Sequence, residues 1–82
     1  MNEIEWERNA LTKANGHIAE GERRARRQAA LIMELRANGQ EIRDAETLLH
    51  TLEETLKVWR GHRELIVQRL AQLVAREAGA GP

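Results

Sequence analysis

The chain has 82 residues, and its 13 Lys and Arg residues balance 13 Asp and Glu residues, so its formal net charge is zero. That balance disfavours the long-range attraction to nucleic acids or acidic membranes that strongly basic chains show. The absence of cysteine, serine, tyrosine and phenylalanine excludes thiol chemistry and serine nucleophiles, and suits a cytoplasmic protein. We expect one non-catalytic domain over residues 1–82.

The first predicted helix covers residues 3–37. Asn2 is a suitable N-cap and Glu5 stands three residues later, as in a capping box. Asn15-Gly16 could break this helix. However, apolar residues recur at every seventh position on both sides of it, which favours one unbroken helix. The apolar residues at that step are Ile4, Leu11, Ile18, Ala25 and Ile32.

The second predicted helix covers residues 42–77, after a turn at residues 38–41. Asn38-Gly39 is typical of a helix C-terminus, because glycine readily adopts a left-handed conformation. The carboxylates between Glu41 and Asp44 suit the positive end of a helix dipole. Residues 78–82 should form a frayed tail. Steps of three and four place Leu49, Leu52, Leu56, Trp59, Ile66, Leu70 and Leu73 on one seam.

Two helices of similar length around a short turn predict an all-α antiparallel two-helix hairpin, with coiled-coil packing. Paired residues should have numbers that add to about 77, which brings Gly21 to Leu56 and Ile18 to Trp59. We expect Trp59 to fill the space beside Gly21. The same alignment allows ion pairs between Glu22 and Arg60 and between Arg36 and Glu46.

Arg63 interrupts the seam of the second helix. The residue opposite it on the first helix is Ala14, which is small, so the guanidinium would have room to reach outward. It could then set the register of the helices or the oligomeric state. Trp6 lies off the seam, where it could cover the open end of the hairpin or contact a partner.

Further apolar residues lie outside the seam between the two helices. A stripe this wide favours a homodimer that forms a four-helix bundle over an isolated hairpin. The predicted self-association residues are Leu31, Leu48, Val58, Leu65, Val67 and Val74.

His17 and His62 fall on one flank of the hairpin, and Glu20 lies one turn from His17. Imidazole and carboxylate groups on facing helices can bind a metal ion. Arg24 and Arg63 stand nearby and would repel a cation, and no HxxxH or HExxH motif is present. A boundary pair of histidines is therefore favoured over a metal site, and we expect no cofactor.

The basic run contains Arg23, Arg24, Arg26 and Arg27. Arginine-rich helices bind phosphate backbones, so a nucleic-acid-associated protein is one alternative function. Glu20 and Glu22 precede Arg24 and Arg26 by four residues, which favours pairs within the helix and a self-neutralised face.

The segment from His17 to Glu64 contains His-Ile-Ala-Glu-Gly-Glu-Arg-Arg, the Asn-Gly turn, Leu-Leu-x-Thr-Leu-Glu-Glu-Thr-Leu and Arg-x-His-Arg. It resembles a group of small uncharacterised bacterial helical-hairpin proteins with no assigned activity. That resemblance implies a helical hairpin with a glycine turn, although Ile42 stands where those proteins often have a capping threonine. The pattern predicts a small cytoplasmic protein that self-associates and mediates protein–protein interaction as an adaptor or regulator. Its protein partner is unknown, and no apolar run is long enough to span a membrane.

Overall fold

The computed structural model describes residues 2–79, which form two long helices packed against each other. Helix α1 covers Glu3–Ala37 and helix α2 covers Arg43–Gly79. They run antiparallel and make a rod with extents of 70 × 15 × 15 Å. The all-helical hairpin is therefore confirmed, and residues 2–79 contain no strand.

Both ends of α1 are closed by local hydrogen bonds. The Asn2 side chain accepts a hydrogen bond from the Glu5 backbone N–H at 2.8 Å, as expected of an N-cap. At the other end Gly39 has φ +69°, and the N–H groups of Gly39 and Gln40 donate to the carbonyls of Arg36 and Leu35. This pattern is a Schellman motif, which needs the left-handed residue that glycine supplies. The helix is continuous at Asn15-Gly16, so the alternative of a break there is wrong.

The bounds of α2 differ slightly from the predicted residues 42–77. Ile42 lies outside the helix, and its carbonyl accepts a hydrogen bond from the Glu46 N–H at 2.8 Å. Because isoleucine offers no capping oxygen, the Glu41 carboxylate accepts from the Arg43 N–H at 3.0 Å instead. The helix also continues to Gly79, past the predicted start of a frayed tail at residue 78. The rest of that predicted tail, residues 80–82, lies outside the described residues.

The core between the helices is narrow. Its buried side chains are Ala14, Ile32, Leu56, Ile66 and Leu73. Gly21 faces Leu56, as the alignment predicts, and a Cβ added at Gly21 would lie 2.8 Å from Leu56 Cδ2. The expectation that Trp59 fills the space beside Gly21 is wrong, because Leu56 occupies it and Trp59 lies one turn further on.

Within residues 2–79, three ion pairs connect the helices across the seam. The predicted ion pairs are both present, with Glu22–Arg60 at 3.2 Å and Arg36–Glu46 at 3.8 Å. Glu7 and Arg69 add a third at 3.4 Å near the open end. These partly exposed pairs contribute little to stability, about 0–1 kcal/mol each. They do show that the two helices have the predicted alignment.

Arg63 reaches outward from the seam to Asn15, an exposed residue of α1. Its Nε donates a hydrogen bond to Asn15 Oδ1 at 2.6 Å, within the same chain. This bond connects the two helices, and an effect of Arg63 on oligomeric state stays a prediction.

Candidate functional site

The outer surface of the hairpin carries large apolar side chains. Val58, Met33 and Trp6 are exposed by 72%, 70% and 68%. The others are Leu31, Leu48, Leu65 and Val74. Five of the six residues predicted for self-association thus lie exposed, whereas the sixth, Val67, is half-buried. Met33 could not be predicted from the seven-residue repeat, because it lies outside the seam and the residue one turn before it, Ala29, is small.

Several of these residues belong to a second heptad pattern on α2, which we call the outer stripe. Its members are Leu48, Thr51, Thr55, Val58, His62 and Leu65. Their spacing alternates between three and four residues, so they share one face of the helix. All six are exposed, whereas the inner seam residues Leu56, Ile66 and Leu73 are buried. Helix α2 therefore has one covered seam and one uncovered seam.

The two threonines of the outer stripe are less polar than their residue type suggests. Thr51 Oγ1 donates to the Thr47 carbonyl at 3.1 Å, and Thr55 Oγ1 donates to the Thr51 carbonyl at 2.9 Å. Such bonds to the preceding turn satisfy the hydroxyl within the helix itself. The hydroxyl protons are thereby held within the helix, and each threonine also has an apolar methyl group.

A small recess lies within the outer stripe. Val58, Gly61, His62 and Leu65 stand at positions i, i+3, i+4 and i+7, the four corners of the hole that receives a knob in coiled-coil packing. A Cβ added at Gly61 would meet no atom within 4 Å. Glycine inside a helix costs about 1 kcal/mol relative to alanine. The fold of the single chain gives no packing reason for that cost.

The candidate metal residues are brought together around Trp59. The His17 ring stacks on Trp59 with centroids 4.4 Å apart, and His62 meets Trp59 edge-on at 5.7 Å. Within residues 2–79 no group of three His, Cys, Asp or Glu side chains could hold a metal ion. Zinc sites use three or four protein ligands, so the pair supports an aromatic cluster better than a metal centre.

Glu20, the third candidate ligand, is engaged by arginines. Arg23 forms an ion pair with it, and Arg24 Nε donates to the same carboxylate at 3.2 Å. The hydrogen bond and charge of Arg23, with a smaller contribution from Arg24, lower the pKa of the Glu20 carboxyl below its ordinary value. The carboxylate is thus committed to stabilising the basic run.

The basic run is only partly neutralised. Arg23 and Arg24 pair with Glu20, but Glu22 pairs across the hairpin with Arg60 instead of with Arg26. Across residues 2–79, Arg26 and Arg27 form no ion pair. Two exposed guanidinium groups therefore remain available on α1.

The outer stripe and the charged face of α1 lie side by side. A shallow groove between the helices is lined by His17, Glu20, Gly21, Arg24, Leu52, Thr55, Leu56 and Trp59. Thr55 of the stripe thus borders Glu20 and Arg24. Any molecule that covers the stripe will also approach these charges.

In residues 2–79 neither helix has an apolar stretch long enough to cross a membrane. Comparison with known proteins found no matching family model, no matching curated protein and no matching solved structure.

Proposed function

We propose that this chain is a non-catalytic helical interaction module, which self-associates and binds other proteins as an adaptor or regulator. The observation that supports this proposal is the uncovered outer stripe of α2. It places Leu48, Val58 and Leu65 in water at spacing typical of a packed helix. Exposed apolar side chains that share one face of a helix mark interaction surfaces more often than single scattered ones do.

The small core gives a second reason for association. Five buried side chains stabilise a hairpin of 35-residue and 37-residue helices. Chains of this size usually add a disulfide, a metal ion or a partner to a core that is too small. The sequence has no cysteine, and residues 2–79 offer no three-ligand metal cluster. Association is the remaining way to cover apolar surface.

Light scattering on the purified protein tests self-association directly. We expect a mass near twice 9.4 kDa at micromolar concentration, because the outer stripe is covered only in an assembly. A single species of 9.4 kDa across that concentration range would contradict the proposal.

A nucleic-acid-associated protein is the second candidate, and the unpaired Arg26 and Arg27 favour it. Guanidinium groups that are free of carboxylates can contact phosphates, and such binding weakens steeply with salt. If the interaction-module proposal is right, mixed RNA and DNA should show no mobility shift at low salt. A shift at low salt that disappears in an Arg26→Gln, Arg27→Gln variant of unchanged mass would favour the nucleic-acid alternative.

A further inference from the structure

We infer that a second copy of this chain covers the outer stripe, with the two α2 helices antiparallel about a two-fold axis. Leu48 of each copy then contacts Leu65 of the other. This inference rests on the proposed self-association and names the face and register that produce it.

The charges on α1 favour a contact between the two α2 helices over a contact between α2 of one copy and α1 of the other. The face of α1 beside the stripe carries seven residues at the corresponding steps of three and four: Lys13, His17, Glu20, Arg24, Arg27, Leu31 and Glu34. Five of these seven are charged, so an apolar stripe packed on that face would remove charged groups from water with little apolar contact in return. Stripe against stripe buries Leu48, Val58 and Leu65 on both sides.

The spacing of the apolar residues selects one register. In this register the numbers of two facing residues, one from each copy, add to 113. Leu48 then meets Leu65, Thr51 meets His62, and Thr55 meets Val58. Shifting one copy by a heptad leaves Leu48 opposite Gln72, or Leu65 opposite Glu41. Only the first register gives both leucines an apolar partner. It also sets Thr51 of the second copy level with the recess at Gly61, where a small side chain fits.

The footprint of this contact is comparable to a small stable interface. The register overlaps residues 43–70 of both α2 helices, about 40 Å at 1.5 Å per residue. On a hairpin 15 Å wide, that overlap offers at most roughly 1,200 Å² in total, which is the lower end of stable interfaces.

Cysteine cross-linking tests the register, and the chain is suited to it because it has no cysteine. Leu48→Cys and Leu65→Cys each change an exposed residue, so both variants should fold. We expect neither variant to form a disulfide alone, because identical residues lie about 25 Å apart at 1.5 Å per residue. Mixed before oxidation, the two variants should cross-link about half of the chains, the random share of mixed two-fold dimers. Met33→Cys, mixed with Leu65→Cys, is the control for random collision and should not cross-link.

The possible results separate this inference from the proposed function. A Leu48→Cys dimer formed without the other variant would indicate parallel helices and overturn the inference, while self-association stands. Absence of cross-linking in the mixture, with a dimeric mass for the wild type, would likewise overturn only the stripe-to-stripe contact. A monomeric wild type would overturn both.

Discussion

Replacing Val58 with glutamate is expected to convert the proposed dimer to a monomer of 9.4 kDa at micromolar concentration. Val58 is 72% exposed in the single chain, so the change should leave the hairpin itself intact. Burial of one valine contributes about 1.5 kcal/mol, and a two-fold interface contains the residue twice. The loss of about 3 kcal/mol weakens the dimer at least 100-fold, before the cost of burying two carboxylates is added. Sedimentation velocity across a dilution series measures the change.

Met33→Glu is the matched control, because Met33 is 70% exposed and introduces the same charge away from the outer stripe. We expect this variant to keep the dimeric mass. Equal dissociation of both variants would mean that net charge, and not the stripe, governs assembly. A dimeric Val58→Glu variant would place the interface elsewhere on the hairpin.

Replacing Gly21 with leucine is expected to destabilise the fold strongly. A Cβ at this position already lies 2.8 Å from Leu56 Cδ2, and Leu56 is only 5% exposed, so it has little space into which to move. Overpacking of a core typically costs about 1–3 kcal/mol, and a full leucine side chain adds three more carbon atoms to the clash. Thermal unfolding followed by circular dichroism should show a melting temperature lower by at least about 5 °C.

Gly16→Leu isolates the steric effect, because a Cβ at Gly16 meets no atom within 4 Å. Both variants gain helix propensity of about 1 kcal/mol from the loss of glycine. Gly16→Leu should therefore melt at a higher temperature than the wild type when all three are compared at one protein concentration. If Gly21→Leu also melts higher, the close contact between the helices at Leu56 is wrong.

Much of the hairpin could be predicted because local chemistry and the seven-residue repeat agree. Asn2, Gly39 and the repeat each indicate the same helix bounds, and the repeat aligns Glu22 with Arg60. The repeat could not decide which large residue enters the space beside Gly21. That choice depends on side-chain direction within one turn, which puts Leu56 against Gly21 and Trp59 against His17.

The candidate surface was harder to predict than the fold. Hydrophobic residues outside the seam could be identified, but their exposure depends on how widely each helix is covered, which left Val67 half-buried. The role of Thr51 and Thr55 in the stripe was not visible from sequence, because a threonine hydroxyl counts as polar until its bond to the preceding turn is known. The sequence allowed Glu22 to pair with either Arg26 or Arg60, and the structure shows the pair with Arg60.

The Gly39 reversal places the start of α1 and the end of α2 at one pole of a 70 Å rod. Asn2 and Ala78 border the same surface depression there. Reporter groups attached at residues 2 and 79 would therefore be neighbours. In the proposed antiparallel dimer the two such poles would point away from each other, so the dimer would hold groups attached at its two ends far apart.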